Sequence, residues 1–136
     1  MSIKKQFTLG AAERLKSRKL IERLFNERKS FHVGPFRVLY LFLEENTTRL
    51  QAGFSVSSKN FKRAVDRNRI KRLMKEGWRL QKNELSATLE RKEKHLIVFV
   101  IYTSKELPDH QPVQEKLMLI IKKLIAAANE DHSSHT

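Results

Sequence analysis

Hydrophobic residues recur at helical spacing in three segments of this chain, and each segment predicts an amphipathic helix. The first helix begins after Ser17, whose hydroxyl suits an N-cap, and it ends near Lys29. The second covers residues 62–83 and the last covers residues 113–128, while residues 84–94 fit either a short helix or a charged loop. The positions that we expect to face the core are Leu20, Ile21, Leu24 and Phe25 in the first helix, Ile70, Leu73, Met74 and Gly77 in the second, and Leu117, Ile120, Ile121, Leu124 and Ile125 in the last.

Other segments show the apolar patterns that are typical of strands. Residues 36–44 and 50–57 are separated by a short polar turn, so we predict that they pair as an antiparallel hairpin. Residues 95–102 form a nearly continuous apolar run, which indicates a central strand that is buried on both faces. A short extra strand near residues 31–33 also fits the pattern. In the first long strand, alternation places Phe36, Val38, Tyr40 and Phe42 on one face and Leu39, Leu41 and Leu43 on the other.

Together these elements predict an α+β fold, a two-layer α/β sandwich in which helices pack on one small mixed sheet. The order is α-β-β-(β)-α-β-α, with two or three strands between the first two helices. A chain of 136 residues is large enough for one hydrophobic core. We therefore expect a single domain over residues 1–128 and a disordered tail over residues 129–136.

Positive charge is concentrated in and around the second predicted helix. The whole chain has a formal net charge of +13, and residues 59–82 hold ten basic residues against only Asp66 and Glu76. With so few acidic partners, these side chains repel one another unless an external anion compensates them. Arginine presents a planar fork of donors and asparagine can both donate and accept, so residues 67–72 suit phosphate and ribose. The segment favours a nucleic acid as partner, and we predict RNA.

A basic amphipathic helix can also lie on an anionic membrane or bind calmodulin. The inward residues of this helix argue against both, because they are ordinary core residues with strands nearby to cover them. No apolar run reaches the roughly 18–20 residues that span a bilayer, and the N-terminus lacks the apolar stretch of a signal peptide. The chain has no cysteine, which fits a reducing compartment. We expect a cytoplasmic protein that binds no membrane.

The sequence shows no catalytic constellation and no metal-binding motif. Its histidines lack ligand spacing apart from His132 and His135 in the predicted tail, and its four glycines are isolated. We therefore predict that the polypeptide neither binds a catalytic metal nor cleaves a phosphodiester bond by itself. Several aromatic residues are interpreted as core, although an exposed subset could stack on unpaired bases. They are Phe25, Phe36, Tyr40, Phe42, Phe54 and Phe61.

Two motifs at a fixed spacing resemble the signature of the bacterial ribonuclease P protein subunit. The first is Gly53-Phe54-Ser55-Val56-Ser57 followed by Lys59, and the second is residues 64–73, which contain Arg67-Asn68-Arg69-Ile70-Lys71-Arg72. Residues 14–17, 24–25 and 36–40 are similar to the family's N-terminal helix and first long strand. The resemblance covers about residues 10–125. The chain departs from the family pattern at Ser58, often a lysine, at Ile21, often aromatic, and in the loop over residues 60–63, which is about one residue longer.

The resemblance implies a protein that assembles with a catalytic RNA to remove the 5′ leader of precursor tRNA. No obligatory protein partner is evident from the sequence, and the resemblance implies that the RNA performs the hydrolysis with Mg²⁺, which is bound mainly through the RNA. It also implies a left-handed βαβ crossover, against the usual hand. The residues that the resemblance assigns to RNA contact are Arg67, Asn68, Arg69, Lys71 and Arg72, and those assigned to a cleft for the leader are Phe25, Tyr40 and Ile21. We add Lys59, Lys62, Arg63 and Lys75 to the predicted RNA contacts and Ser55 to the predicted cleft.

Two other functions remain open at this point. Small α/β proteins with basic helices are common among ribosomal and ribosome-assembly proteins, which bind RNA without a nuclease role. A self-sufficient protein nuclease is the second alternative, and the lack of an acid or base constellation argues against it.

Overall fold

The computed structural model describes residues 13–27, 29–46 and 48–130. Its elements confirm the predicted fold class: residues 84–94 are mostly helical, and the short extra strand is present. The predicted tail lies outside the described residues from position 131 onwards. The elements are α1 (Arg18–Glu27), β1 (Ser30–Val33), β2 (Phe36–Leu43), β3 (Leu50–Val56), α2 (Ala64–Gln81), α3 (Asn83–Lys92), β4 (His95–Tyr102) and α4 (His110–Asn129).

The four strands form one mixed sheet in the order β1-β2-β4-β3. Strand β4 runs antiparallel to β2 and parallel to β3, so β2 and β3 are not neighbours. The predicted hairpin of residues 36–44 and 50–57 is therefore wrong. The physical reason is that β4 is apolar on both faces and needs a partner on both edges, which places it between the two strands.

The parallel strands β3 and β4 are joined through α2 and α3, which makes a βαβ unit. This connection explains why the two strands can be parallel, since a parallel pair needs a long crossover rather than a tight turn. The left-handed sense of the crossover, which the family resemblance implies, stays a prediction.

Helices cover both faces of the sheet, and the alternation along β2 separates the two cores. Val38 points into the larger cluster, which α2, α3 and α4 close with residues such as Trp78 and Leu117. Leu39 points to the other side, where a smaller cluster forms with Leu24 of α1. The predicted division of β2 into two faces is confirmed. Because α1 is the only helix in the described chain on its face, part of the sheet beside it stays open.

A short segment before α1 is attached to the outer edge of β3. The amide of Leu15 donates to the carbonyl of Ala52 at 3.0 Å, and Arg14 forms a parallel bridge with the same residue. The ammonium of Lys82, whose side chain is only 4% exposed, lies 2.9 Å from the Glu13 carboxylate. The segment is thus held at β3 on one side and at the end of α2 on the other.

Gly53 leaves room on β3 for the ring of Phe99 from the central strand. A β-carbon at this position would lie 2.7 Å from Cδ1 of Phe99 and 3.5 Å from the carbonyl oxygen of Leu15. The ring of Phe99 therefore occupies the space that a side chain would need. This packing fixes both Phe99 and the segment that contains Leu15.

Gly53→Ala is expected to destabilise the protein by about 1–3 kcal/mol, because the added methyl group overpacks the Phe99 site. Urea unfolding followed by circular dichroism measures the change. The matched control is Ser55→Ala on the same face of β3, which should stay within about 0.5 kcal/mol of the wild type. Equal stability of the two variants would show that the Phe99 ring moves aside without cost.

Candidate nucleic-acid interface

Helix α2 turns its basic face outward because the residues of its inner face are buried, namely Ile70, Met74, Gly77 and Trp78. Ile70 and Met74 are 0% exposed, and Gly77 packs against Leu117 of α4. Positions on the opposite side of the helix therefore face solvent. Of the residues that we predicted to contact RNA, Arg67 and Lys71 are half-buried, and the exposed ones are Lys59, Lys62, Arg63, Asn68, Arg69, Arg72 and Lys75.

The charges on this face are not neutralised by the protein. Glu76, the acidic residue in the middle of α2, lies 3.6 Å from Arg79 and 3.7 Å from the Nε2 atom of His110. Within the described part of the chain, no carboxylate forms an ion pair with Arg69, Lys71, Arg72 or Lys75. The face is therefore free to attract an external polyanion.

Arg67 has a different environment from its neighbours. Its Nη1 atom donates to the backbone carbonyls of Phe61 and Lys62, at 2.7 and 2.9 Å. Phe61 is buried, and its ring stacks on Tyr102 with a centroid distance of 6.2 Å. The guanidinium thus holds the loop before α2, which carries Lys59, Lys62 and Arg63, against the body of the protein.

Residues after β4 provide a second attachment for the same loop. The side-chain amide of Asn60 donates to the carbonyls of Thr103 and Ser104, at 3.0 and 3.3 Å. The Tyr102 hydroxyl donates to the carbonyl of Glu106 at 2.7 Å. Burial raises the pKa of Tyr102 above its ordinary value, which extends to higher pH the range in which the hydroxyl is a donor. These hydrogen bonds therefore hold the loop that carries the lysines in a fixed position.

The sheet is only partly covered beside α1, and the predicted cleft for the leader falls on this open part. Phe25 is 40% exposed and meets the Phe99 ring edge-on, with centroids 5.7 Å apart. Ile21 packs into the small core under α1, and Ser55 lies on the same face of the sheet, opposite Ile101 in the register. Phe25, Ile21 and Ser55 therefore lie on the same side of the sheet, and their contact with the leader stays a prediction.

The expected place of Tyr40 in this cleft is wrong. Tyr40 lies on the opposite face of the sheet, where its ring contacts Phe31 and Phe42 at centroid distances of 5.8 and 6.1 Å. Strand alternation is the reason, since Leu39 and Leu41 occupy the side that α1 covers. Phe99 takes the aromatic position instead. Sequence reasoning missed it because a continuous apolar strand does not reveal which of its residues faces which layer.

The described residues offer little basis for a metal site or a membrane span. They contain no group of three or more His, Cys, Asp or Glu side chains that could hold a metal ion. None of the helices seen there combines the length and the apolar character that crossing a membrane requires.

Arg67→Gln is expected to loosen the loop before α2, because the two hydrogen bonds to backbone carbonyls are lost. Amide hydrogen exchange of residues 58–63 should accelerate, and the free energy of unfolding should fall by about 1 kcal/mol. Mass spectrometry of exchange and urea unfolding measure the two effects.

Arg69→Gln is the matched control for this substitution, since it removes the same charge from an exposed position two residues further along α2. Its exchange rates and stability should equal those of the wild type. Identical exchange in the two variants would mean that Arg67 does not hold the loop.

Comparisons with known proteins agree on one family. Residues 9–128 match the model of the family described as Ribonuclease P. The ribonuclease P protein component of Porphyromonas gingivalis is 37% identical over 129 residues, which cover 94% of this chain and 92% of that protein. The corresponding component of Chlorobaculum tepidum is 36% identical over 93 residues, covering 65% of this chain and 60% of that protein.

A solved structure gives the same result. The RNase P protein of Staphylococcus aureus superposes with a TM-score of 0.67 at 25% identity, over 84% of this chain and 98% of that one. The family model spans nearly all of the described fold, including α2 and the cleft beside α1. This chain therefore belongs to the bacterial ribonuclease P protein family.

Proposed function

We propose that this protein is the RNA-binding subunit of a ribonucleoprotein endonuclease that removes the 5′ leader of precursor tRNA. The observation that carries the proposal is the uncompensated basic face of α2 in a chain of the ribonuclease P family. Family membership favours this function over a ribosomal or ribosome-assembly role.

The catalytic RNA is the partner that we assign to the basic face. Arg69 and Arg72 are exposed on the same side of α2, one turn apart, and an arginine fork can bind phosphate oxygens in pairs. A rigid helix that carries such groups at helical spacing suits a folded RNA, whose phosphates are also held at fixed positions.

The cleft beside α1 is where we place the single-stranded leader. Phe25 exposes part of its ring, and the edge-on Phe99 supports that ring from the side of the sheet. Exposed aromatic rings on a sheet bind unpaired bases by stacking, without requiring a particular sequence. This arrangement fits a leader whose sequence differs from one tRNA to the next.

Bond cleavage belongs to the RNA partner in this proposal. The described residues lack a cluster of carboxylate or imidazole groups for a metal ion, so we assign no metal ligand to the polypeptide. Mg²⁺ would be bound mainly through the RNA. The protein's own residues would bind and orient the two RNA molecules.

Reconstitution tests the proposal directly. Wild-type protein added to the host's catalytic RNA at low Mg²⁺ should restore removal of the leader, and the protein alone should cleave nothing. Charge reversal at Arg69 and Arg72 should weaken binding to that RNA by about tenfold or more. It should also make the log–log salt slope shallower by about 1.4–1.8, since each phosphate contact contributes about 0.7–0.9.

Charge reversal at Lys105 and Lys122 is the control, because both lysines are exposed and lie outside α2. That variant should bind and activate the RNA like the wild type. Equal losses of RNA affinity in the two double variants would show that binding depends on the net charge of the protein and not on the basic face of α2. Recovery of ribosomal RNA, and not the catalytic RNA, with the protein purified from cells would favour the ribosomal alternative.

Phe25→Ala should reduce the affinity of the assembled enzyme for precursor tRNA by roughly 5–150-fold, the range that one stacked base contributes. Affinity for mature tRNA, which has no leader, should not change. Leu107→Ala is the control variant, since Leu107 is 48% exposed in the loop before α4 and lies outside the cleft. An equal loss of affinity for both tRNA forms would show that the leader does not bind in this cleft.

A further inference from the structure

A basic cavity lies between α2 and the segment that precedes α1. It measures about 190 Å³, and its floor is formed by β3 at residues 52–54. The two walls come from parts of the chain that are more than fifty residues apart in sequence. The cations that line it are Arg14 and Lys16 on one wall and Lys71 and Lys75 on the other.

The cavity has fixed walls even though its cations reach into solvent. On one side, Leu15 is buried and its amide donates to the carbonyl of Ala52 at 3.0 Å. Residues 14 and 16 flank this anchor, so their Cα positions are set by it. On the other side, Lys71 and Lys75 lie one helical turn apart on α2, whose inner face is fully buried.

The acidic residues next to these cations in sequence are already paired elsewhere. Glu13, which precedes Arg14, is held by Lys82 at 2.9 Å, and Glu76, which follows Lys75, lies 3.6 Å from Arg79. No carboxylate in the described ranges lines the cavity or pairs with its four cations. Four positive charges therefore surround one hollow without internal compensation, which makes it a focus of positive potential.

We propose that this cavity binds a backbone phosphate of RNA between its two walls. The inference rests on the proposed function and adds Arg14 and Lys16, outside the family's signature helix, to the surface that holds RNA. Arginine supplies a planar fork and lysine a compact charge, so a phosphate between the walls can be contacted from two sides.

The cavity lies between the basic face of α2 and the aromatic cleft, so a phosphate bound there would connect these two surfaces. Lys75 also belongs to the outer face of α2, and Gly53 in the floor is the residue on which the Phe99 ring lies. A strand whose phosphate occupies the cavity therefore passes from the basic face of α2 towards the aromatic cleft.

Inorganic phosphate, added to the full-length protein labelled with ¹⁵N, tests the cavity itself. Amide shifts should change at residues 14–16, 52–54 and 71–75. The double variant Arg14→Gln and Lys16→Gln should bind phosphate at least about fivefold more weakly, since it loses one wall. The control, Lys105→Gln with Lys122→Gln, removes the same charge from exposed positions elsewhere. Shifts spread over the surface, or equal weakening in both variants, would overturn the proposal.

Binding of the catalytic RNA at several salt concentrations tests whether the phosphate in the cavity belongs to the RNA backbone or is free phosphate. The Arg14 and Lys16 variant should show a log–log slope shallower by about 0.7–0.9, the contribution of one phosphate contact. An unchanged slope, with wild-type protein still binding the RNA, would overturn this inference alone and leave a site for free phosphate. Failure of the wild-type protein to bind the RNA would instead overturn the proposed function. Thermal unfolding of each variant confirms that it folds.

Discussion

Strand β4 is apolar from Leu96 to Ile101, and such a strand is stabilised when it is paired on both edges and covered on both faces. The sheet achieves this by placing β4 between β2 and β3, with Leu96 and Val98 under the helices α2–α4 and Ile97 under α1. The remaining architecture depends on that placement. It separates β2 from β3, makes β3 and β4 parallel, and requires α2 to cross over the sheet between them.

The crossover also determines where the charge lies. Because Ile70 and Met74 are buried against the sheet, the basic positions of α2 face outward, beside the edge of β3. The segment around Leu15 is attached to that same edge, so its cations meet those of α2 across a short gap. Burial of apolar surface therefore assembles a continuous positive surface, although like charges by themselves would keep these residues apart.

The side chains of this surface have different tasks, despite their similar chemistry. Arg67 donates to carbonyls of its own chain and holds a loop, whereas Arg69 and Arg72 have no partner within the described residues. Phe99 supports Phe25 at the cleft, while Tyr40 stabilises the opposite face. In the proposed function the protein thus binds and aligns RNA on a preorganised surface, and the chemistry is left to the partner.

Local patterns in the sequence determined the elements, the two faces of β2, the buried central strand and the basic character of α2, because each depends on periodicity within one segment. Two motifs at a fixed spacing, residues 53–59 and residues 64–73, were together sufficient to indicate the family. Tertiary structure alone decided the pairing of β4 between β2 and β3, the side of the sheet that Tyr40 and Phe99 occupy, and the meeting of Arg14 with Lys75. These features depend on contacts between residues far apart in sequence, which the spacing within a segment does not encode.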